Sequence, residues 1–576
     1  MKTKNFFKYP KSAAHIHYEA LRSHFLDGVP LDQVALSKEL SLSYLIKIKR
    51  EYEKKIAAGI DPFFVEIKKG PKIRHKGDRL RDKIIALRKR DFSIIDIKAA
   101  LDAQGENISL DAIDKLLKEE GFLRLPRRTR SEKGQTILPN SITTPSACAI
   151  DLSNNQEFTT GKFGGVLSFL PLMENLKVFD AIKKANFPGT SQISGLSYVL
   201  SFLALKLAGN KRLSHDELWS LERVLGLFAG LNVLPKSASL SSYSYRVSRD
   251  TIRKFLLELN QIFSTSKDAE FNLDFKTIPH WGEASTLEKN YSTTRGKSVK
   301  SVLAMIVQNI TDDCLTYTDA EISRRNEKNA ILEFVDFWRE SKGTSPKMLI
   351  FDSQFTIFKN LSLLNRDQIK FITLRAKSKK MVSTALKRFS SEQCTEISVE
   401  AGKRNSRRLK CYEEEIPLRQ YEGTVRQIAI LSKEKEPVFI LTNDFTSSMS
   451  AIVRKYARRW LVEQEISEQV SFFHLNQLSS SIAVKVDFDL ALNLLAHNLY
   501  RRMAVTIPKF EKCTAETLCR NFIEGRSKVT IEGNDIKVNM AKKAHLPLLY
   551  ECPWMTERTN ISFLNKRISF EIGTTS

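Results

Sequence analysis

The hydrophobic pattern changes period at about residue 271, and the order of elements after that point constrains the fold more than any other feature of the chain. FNLDFKTIP, SVLAMIVQNI and CLTYTDAEI read as strands, and NEKNAILEFVDFWRES reads as a helix. KMLIFD is a short buried strand, a helix is predicted near 357–367, and KFITLRA is another strand. Three strands, a helix, a strand, a helix and a strand predict an α/β sheet with a mixed antiparallel edge. Residues 380–445 add the strand runs EISVEA, VRQIAILS and PVFILTND among many charges, which reads as a β-rich insertion. Helical patterns return at 446–475 and 485–505. Residues 160–265 carry helix-period segments such as DTIRKFLLELNQIFS and no visible chemistry, so a helical domain is expected there. The apolar run around 197–209 is too short to span a membrane and carries Lys206, so it reads as a buried helix.

A chain of 576 residues is too long for one core. The expected division is 1–70 and 75–125 as two helix-turn-helix regions, 126–155 as a linker, 156–268 as the helical domain, 269–510 as the α/β domain and 511–576 as a C-terminal tail. Lys and Arg number 91 against 66 acids, a formal net charge of +25. Residues 1–135 alone hold 30 basic and 19 acidic side chains. Basic surface of this extent attracts polyanions. In 31–53, Val34, Ala35, Leu40, Leu45 and Ile48 are the expected packed positions of two helices, with Ser43 as the cap of the second. That second helix displays Lys47, Lys49 and Arg50, as a helix entering the DNA major groove does. Residues 79–125 repeat the design, with Ser93 and Ser109 as caps and Gly105 and Gly121 as stops. A small helical protein-interaction module would share this pattern. Arg124, Arg127, Arg128 and Arg130 begin the linker and suit a phosphate backbone, or a solvated hinge. The seven cysteines form no C-x-x-C pair, which argues against a zinc site. Their odd number and the absence of a signal-peptide core point to a reducing cytoplasm, where the expected place is the nucleoid, with no membrane partner.

Three acids stand out. Asp274 lies in a strand between Leu273 and Phe275, so its side chain points opposite to theirs. Asp352 ends the apolar run MLIF. Glu463 follows Tyr456 and Arg459 at helical spacings of three and four residues, which puts all three on one helix face at about 100° per residue. Glu465 and Glu468 are rotated by about 200° and 140° from Glu463 and leave that face. Two strand acids and a helix acid are one way to hold divalent metal beside phosphate. Arg459 and Glu463 equally suit a plain i,i+4 ion pair.

The motifs LDFKTIPHWGE, LIFDSQFT, YARRWLVEQ and KVDFDLALNLLAHNLYR, in this order, resemble the DDE transposases of bacterial and archaeal insertion sequences, in the branch with a Tyr-Arg-Glu-Lys signature. The resemblance covers roughly residues 190–505. It implies a multidomain α+β protein: helix-turn-helix units, a helical middle domain and an RNase-H-like α/β catalytic core with a β-rich insertion. Asp274, Asp352 and Glu463 would be both catalytic residues and metal ligands for two Mg²⁺, with Mn²⁺ as a substitute. Tyr456 and Arg459 would approach the DNA end. The signature's Lys falls on Val470 here, and Lys485 is a candidate replacement. The implied partners are double-stranded DNA, as element ends and target, and a second copy of the chain in a homodimeric complex. An idle DNA-binding derivative and a nuclease without strand transfer remain alternatives.

Overall fold

The computed structural model describes residues 12–59, 61, 63, 75–90, 92–122, 145–210, 219–279, 288–292, 296–323, 327–389, 394–400, 406–431, 436–459, 472–474, 483–556 and 558–573. The chain divides into two units, Met1–Ile142 and Thr143–Ser576.

In the first unit, α1 (Ala13–Phe25), α2 (Leu31–Ser37) and α3 (Leu42–Ala57) pack around Ala20, Leu21, Val34, Ala35, Leu45 and Ile48. Leu40 is only partly buried. α1 has no counterpart in the sequence reading, because His15, His17, Glu19 and Arg22 interrupt its apolar period. Ser41, not Ser43, caps α3: its side chain accepts from Tyr44 N, and Ser43 already lies inside the helix. A second bundle is built from α4 (His75–Arg88), α5 (Ile94–Ala103) and α6 (Leu110–Glu119), with Leu80, Ile84, Ile97, Leu101, Ile113 and Leu117 inside. Ser93 and Asp96 form a reciprocal capping box on α5, and Ser109 caps α6. Gly105 and Gly121 follow these helices at φ +74° and +76°, where a side chain would be strained.

The second unit opens with β1 (Gln156–Thr160) and a helical region that includes α7 (Val178–Ala185), α8 (Gly195–Leu207) and α9 (Arg249–Phe263). α8 is buried almost all round, as its sequence suggests. No helix among the described residues is long and apolar enough to cross a membrane. The main sheet follows: β2 (Glu270–Pro279), β3 (Lys289–Ser292), β4 (Lys297–Asn309), β5 (Cys314–Ile322), α10 (Ala330–Lys342), β6 (Met348–Phe351), α11 (Phe358–Arg366) and β7 (Lys370–Leu374). β5, β4 and β2 are antiparallel neighbours, and β2, β6 and β7 run parallel. This is the element order read from the sequence, a mixed α/β sheet.

The segment read as an insertion supplies α12 (Lys379–Phe389), β8 (Thr395–Glu400), β9 (Ser406–Pro417), β10 (Thr424–Leu431) and β11 (Val438–Thr442). It is continuous with the main sheet, because β11 pairs antiparallel with β7 and the strand order runs on through β10, β9 and β8. A helix over 449–459, α13, covers one face of this extension with Ile452 and Val453 against Ile428 and Ile440. α12 covers the other with Ala385 and Phe389 against Ala429 and Phe439.

α14 (Ala483–Thr506) closes the β5 edge. Asn498 accepts from Leu315 N and donates to Leu315 O, both at 2.8 Å, and Asp487 accepts from Ala320 N at 2.5 Å. From α9, Asn260 donates to Thr316 O. Side chains thus satisfy backbone groups that a neighbouring strand would otherwise take.

Two expected boundaries differ. Residues 511–576 are not a tail: β12 (Ser527–Glu532), β13 (Asp535–Ala541), β14 (Thr559–Ile561) and β15 (Lys566–Gly573) form a five-stranded sheet with β1. Val529, Ile531, Ile536, Val538 and Ile568 point inward, while Lys528, Lys537 and Arg567 on the outer face give the stretch its charged look. Nor is 156–268 a separate body, since one hydrophobic cluster runs from Phe158 through the main sheet to Ile568. Phe488 of α14, for instance, packs on Phe187 and Phe202 of the helical region.

Candidate active site

Strand register brings two of the predicted acids together. Leu273 of β2 pairs with Phe351 of parallel β6, so Asp274 and Asp352 follow at the same level on neighbouring strands. Leu273 and Phe351 are buried in the large core on one face; Asp274 and Asp352 turn to the other, beneath α13. Asp352 is extended and caps the short turn Ser353–Phe355, its Oδ1 accepting from Ser353 N at 2.5 Å. Phe275 and Phe355 stack at 3.9 Å between centroids, which ties β2 to that turn. The Thr373 hydroxyl of β7 donates to Asp352 O.

α13 lies over this face in a matching register. Lys455 Nζ contacts both carboxylate oxygens of Glu270, at 2.7 and 2.8 Å, near the start of β2. One helical turn later Arg459 reaches the acids: Nη1 lies 3.3 Å from Asp274 Oδ1, and Nη2 lies 3.7 Å from Asp352 Oδ2. The Arg459 side chain is 5% exposed, against 20% for Asp274 and 40% for Asp352. Its Cζ sits 5.7 Å from the centroid of the Tyr456 ring. Burial pushes the Tyr456 hydroxyl up to about 12; Arg459 opposes this and Asp352 adds to it. Burial alone pulls the Arg459 pKa down, but Tyr456, Asp274 and Asp352 outweigh it and the net direction is upward. These two ion pairs join Arg459 to acids distant in sequence.

The third acid, Glu463, lies outside the described residues, as do Val470 and the linker's Arg127, Arg128 and Arg130. Among the described residues no three His, Cys, Asp or Glu side chains are grouped to hold a metal. The two carboxylates present are hard oxygen donors, which fits Mg²⁺, an ion that keeps several waters and asks for few protein ligands.

Residues 273–499 match the transposase DDE domain family. No curated protein matches the sequence. The matched segment spans Asp274, Asp352, Tyr456, Arg459 and Glu463. It also includes Lys485, whose ammonium sits 3.5 Å from the centroid of the Tyr245 ring.

Outside the matched segment, the third helices of the two N-terminal bundles differ in charge. Lys47 and Arg50 line one face of α3 together with Ser43, Glu51 and Lys54. Lys49 turns elsewhere, 5.3 Å from the Phe25 ring centroid and 3.9 Å from Glu53. Lys54, one turn beyond Arg50, joins the basic face and was missed in the sequence, though its helical spacing from Lys47 was there to read. α6, the third helix of the second bundle, instead carries Asp111 and Asp114, with Glu119 and Glu120 at its end. Exposed basic side chains of that bundle include Lys83, Lys89 and Arg90, on α4 and just after it, and Lys115 and Lys118 among the acids of α6.

Proposed function

We propose that the protein is a DNA transposase that hydrolyses DNA at the ends of its element and joins the freed 3′ hydroxyl to target DNA. The observation carrying this reading is the pair Asp274, on β2, and Asp352, just past the end of the adjacent parallel strand β6, within the segment that matches the DDE family. On this reading the sheet from β2 to β7 is an RNase-H-like core, and Asp274, Asp352 and Glu463 hold two Mg²⁺, which supply Lewis-acid stabilisation of the attacking and leaving oxygens. Tyr456 and Arg459, as the Tyr and Arg of a Tyr-Arg-Glu-Lys signature, face the DNA end. The α3 face with Lys47, Arg50 and Lys54 enters the major groove of an element end. Lys83, Lys89 and Arg90, and the linker's Arg127, Arg128 and Arg130, lie along phosphates. Two copies of the chain hold two ends.

The test uses the full-length protein, a duplex with an element end, a target duplex and Mg²⁺. Wild type should cut and join. Asp352→Asn keeps shape but removes a negative charge, and cleavage should fall by about 10²-fold or more, while end binding persists. An Asp352→Asn protein that cuts at the wild-type rate overturns the assignment. Cutting without joining would leave a nuclease.

A further inference from the structure

Arg459 meets Asp274 and Asp352 with the two arms of one fork. Nη1 approaches Asp274 Oδ1 at 3.3 Å and Nη2 approaches Asp352 Oδ2 at 3.7 Å, both longer than the charge-assisted hydrogen bonds that a guanidinium makes best. One permanent positive charge thus serves two negative charges, at the oxygens a divalent cation would use. An arginine does not leave such a place by deprotonation. It leaves only if the side chain moves, and a DNA phosphate offers it a better fork partner than two carboxylates held apart.

We propose that Arg459 is a built-in competitor of the divalent cation, released by DNA, so that metal loading and DNA binding are positively coupled. This rests on the reading of Asp274 and Asp352 as metal ligands. In the absence of DNA a cation must displace the guanidinium from both acids. When a phosphate takes the guanidinium, the oxygens of Asp274 and Asp352 are freed together. By linkage, the factor by which DNA tightens metal binding equals the factor by which metal tightens DNA binding. The metal centre then assembles on DNA and stays poorly loaded elsewhere.

Binding of Mn²⁺ to the full-length protein, read from the free-ion paramagnetic resonance signal, tests this without any turnover. Without DNA, Arg459→Gln should bind Mn²⁺ at least about tenfold more tightly than wild type. Arg459→Lys should fall between them, since an ammonium is a point charge and does not bridge both acids. A short random duplex should tighten Mn²⁺ binding by wild type at least about fivefold and leave Arg459→Gln unchanged. Unchanged or weaker Mn²⁺ binding by Arg459→Gln overturns the proposal. If that variant does not fold, the wild-type response to DNA decides: none overturns it. Asp352→Asn separates the two levels of the argument. Mn²⁺ binding by Asp352→Asn equal to that of wild type sinks the metal-site reading itself. Loss of binding there, with no effect of Arg459→Gln, sinks only the competitor.

Discussion

Among the described acids, Asp487 is where burial most visibly alters the chemistry. Its side chain is almost wholly enclosed where α14 meets β5, and burial pushes its carboxyl up to about 7. The negative charge of Asp319 adds to the rise; the Ala320 N–H and the Arg249 guanidinium oppose it. Tyr317 and Glu333 also face Asp319. A carboxyl with a folded pKa above its unfolded value stabilises fully at low pH and loses that contribution as pH rises towards the folded pKa. Asp487→Asn keeps the acceptor for Ala320 N and cannot ionise. Its stability advantage over wild type should therefore widen from about pH 4 to pH 7 and stay level above, reaching a few kcal/mol. Thermal melts at pH 5 and pH 8 measure this, and an equal difference at both would refute it. The residue scale is also where the sequence is legible in part. Strand alternation exposes Asp274, and the end of an apolar run exposes Asp352. Periodicity offers Arg459 a partner four residues on, because it registers only local neighbours. Asp274 and Asp352, which Arg459 also meets, lie on β2 and after β6, where only strand register brings them. Asp487 looks like one more polar residue of a helix until that helix is known to cover an edge strand.

At the scale of elements, the position of α13 decides where Arg459 reaches, and Asp444 fixes the start of α13. Its buried carboxylate accepts from Thr446 N and Oγ1, from Ser447 N and Oγ, and from Lys370 Nζ at 2.9 Å. Burial raises its pKa, but the bonds from Ser447, Lys370 and Thr446 outweigh it and hold the group well below the usual carboxylate range. Its contribution is present above the unfolded pKa and is lost as pH falls through the folded one. Asp444→Asn should lower unfolding stability by about 2–3 kcal/mol near neutral pH, less in strong acid, as urea titrations would show. It should also slow cleavage, because the turn that aims Tyr456 and Arg459 is loosened. Wild-type stability at pH 7 would mean the knot contributes nothing. β8, β10 and β11 are legible as strands, since their alternation survives the charges around them, whereas β9 is not, because Arg407, Arg408, Lys410, Glu413, Glu414 and Glu415 hide its pattern. Their attachment is not, because nothing in the β11 sequence names β7 as its neighbour. The C-terminal strands are harder still: with β1 some 370 residues earlier as their partner, they read as a polar tail.

For the whole molecule, the division at Ile142 and Thr143 separates the two small bundles from everything around the acids. A fragment of residues 1–142, with its own two cores, should bind duplex DNA with an affinity that falls steeply with salt, by a log–log slope of about −0.9 per phosphate engaged. Replacing Lys47, Arg50 and Lys54 together by Ala should shrink that slope by about 2–3. Filter binding across a salt series measures it, and an unchanged slope would remove α3 from the DNA contact. The larger unit has a consequence for how such a chain is trimmed or acquired. β7 is paired on one side by β6 and on the other by β11. Excising the stretch from α12 to β11 would not yield a leaner version of the same fold. It would unzip a seam, leaving a bare row of amide groups beside the two aspartates and ready to recruit a strand from any passing chain. The added strands are a sealed hem on the sheet, and the minimal piece that folds must include them.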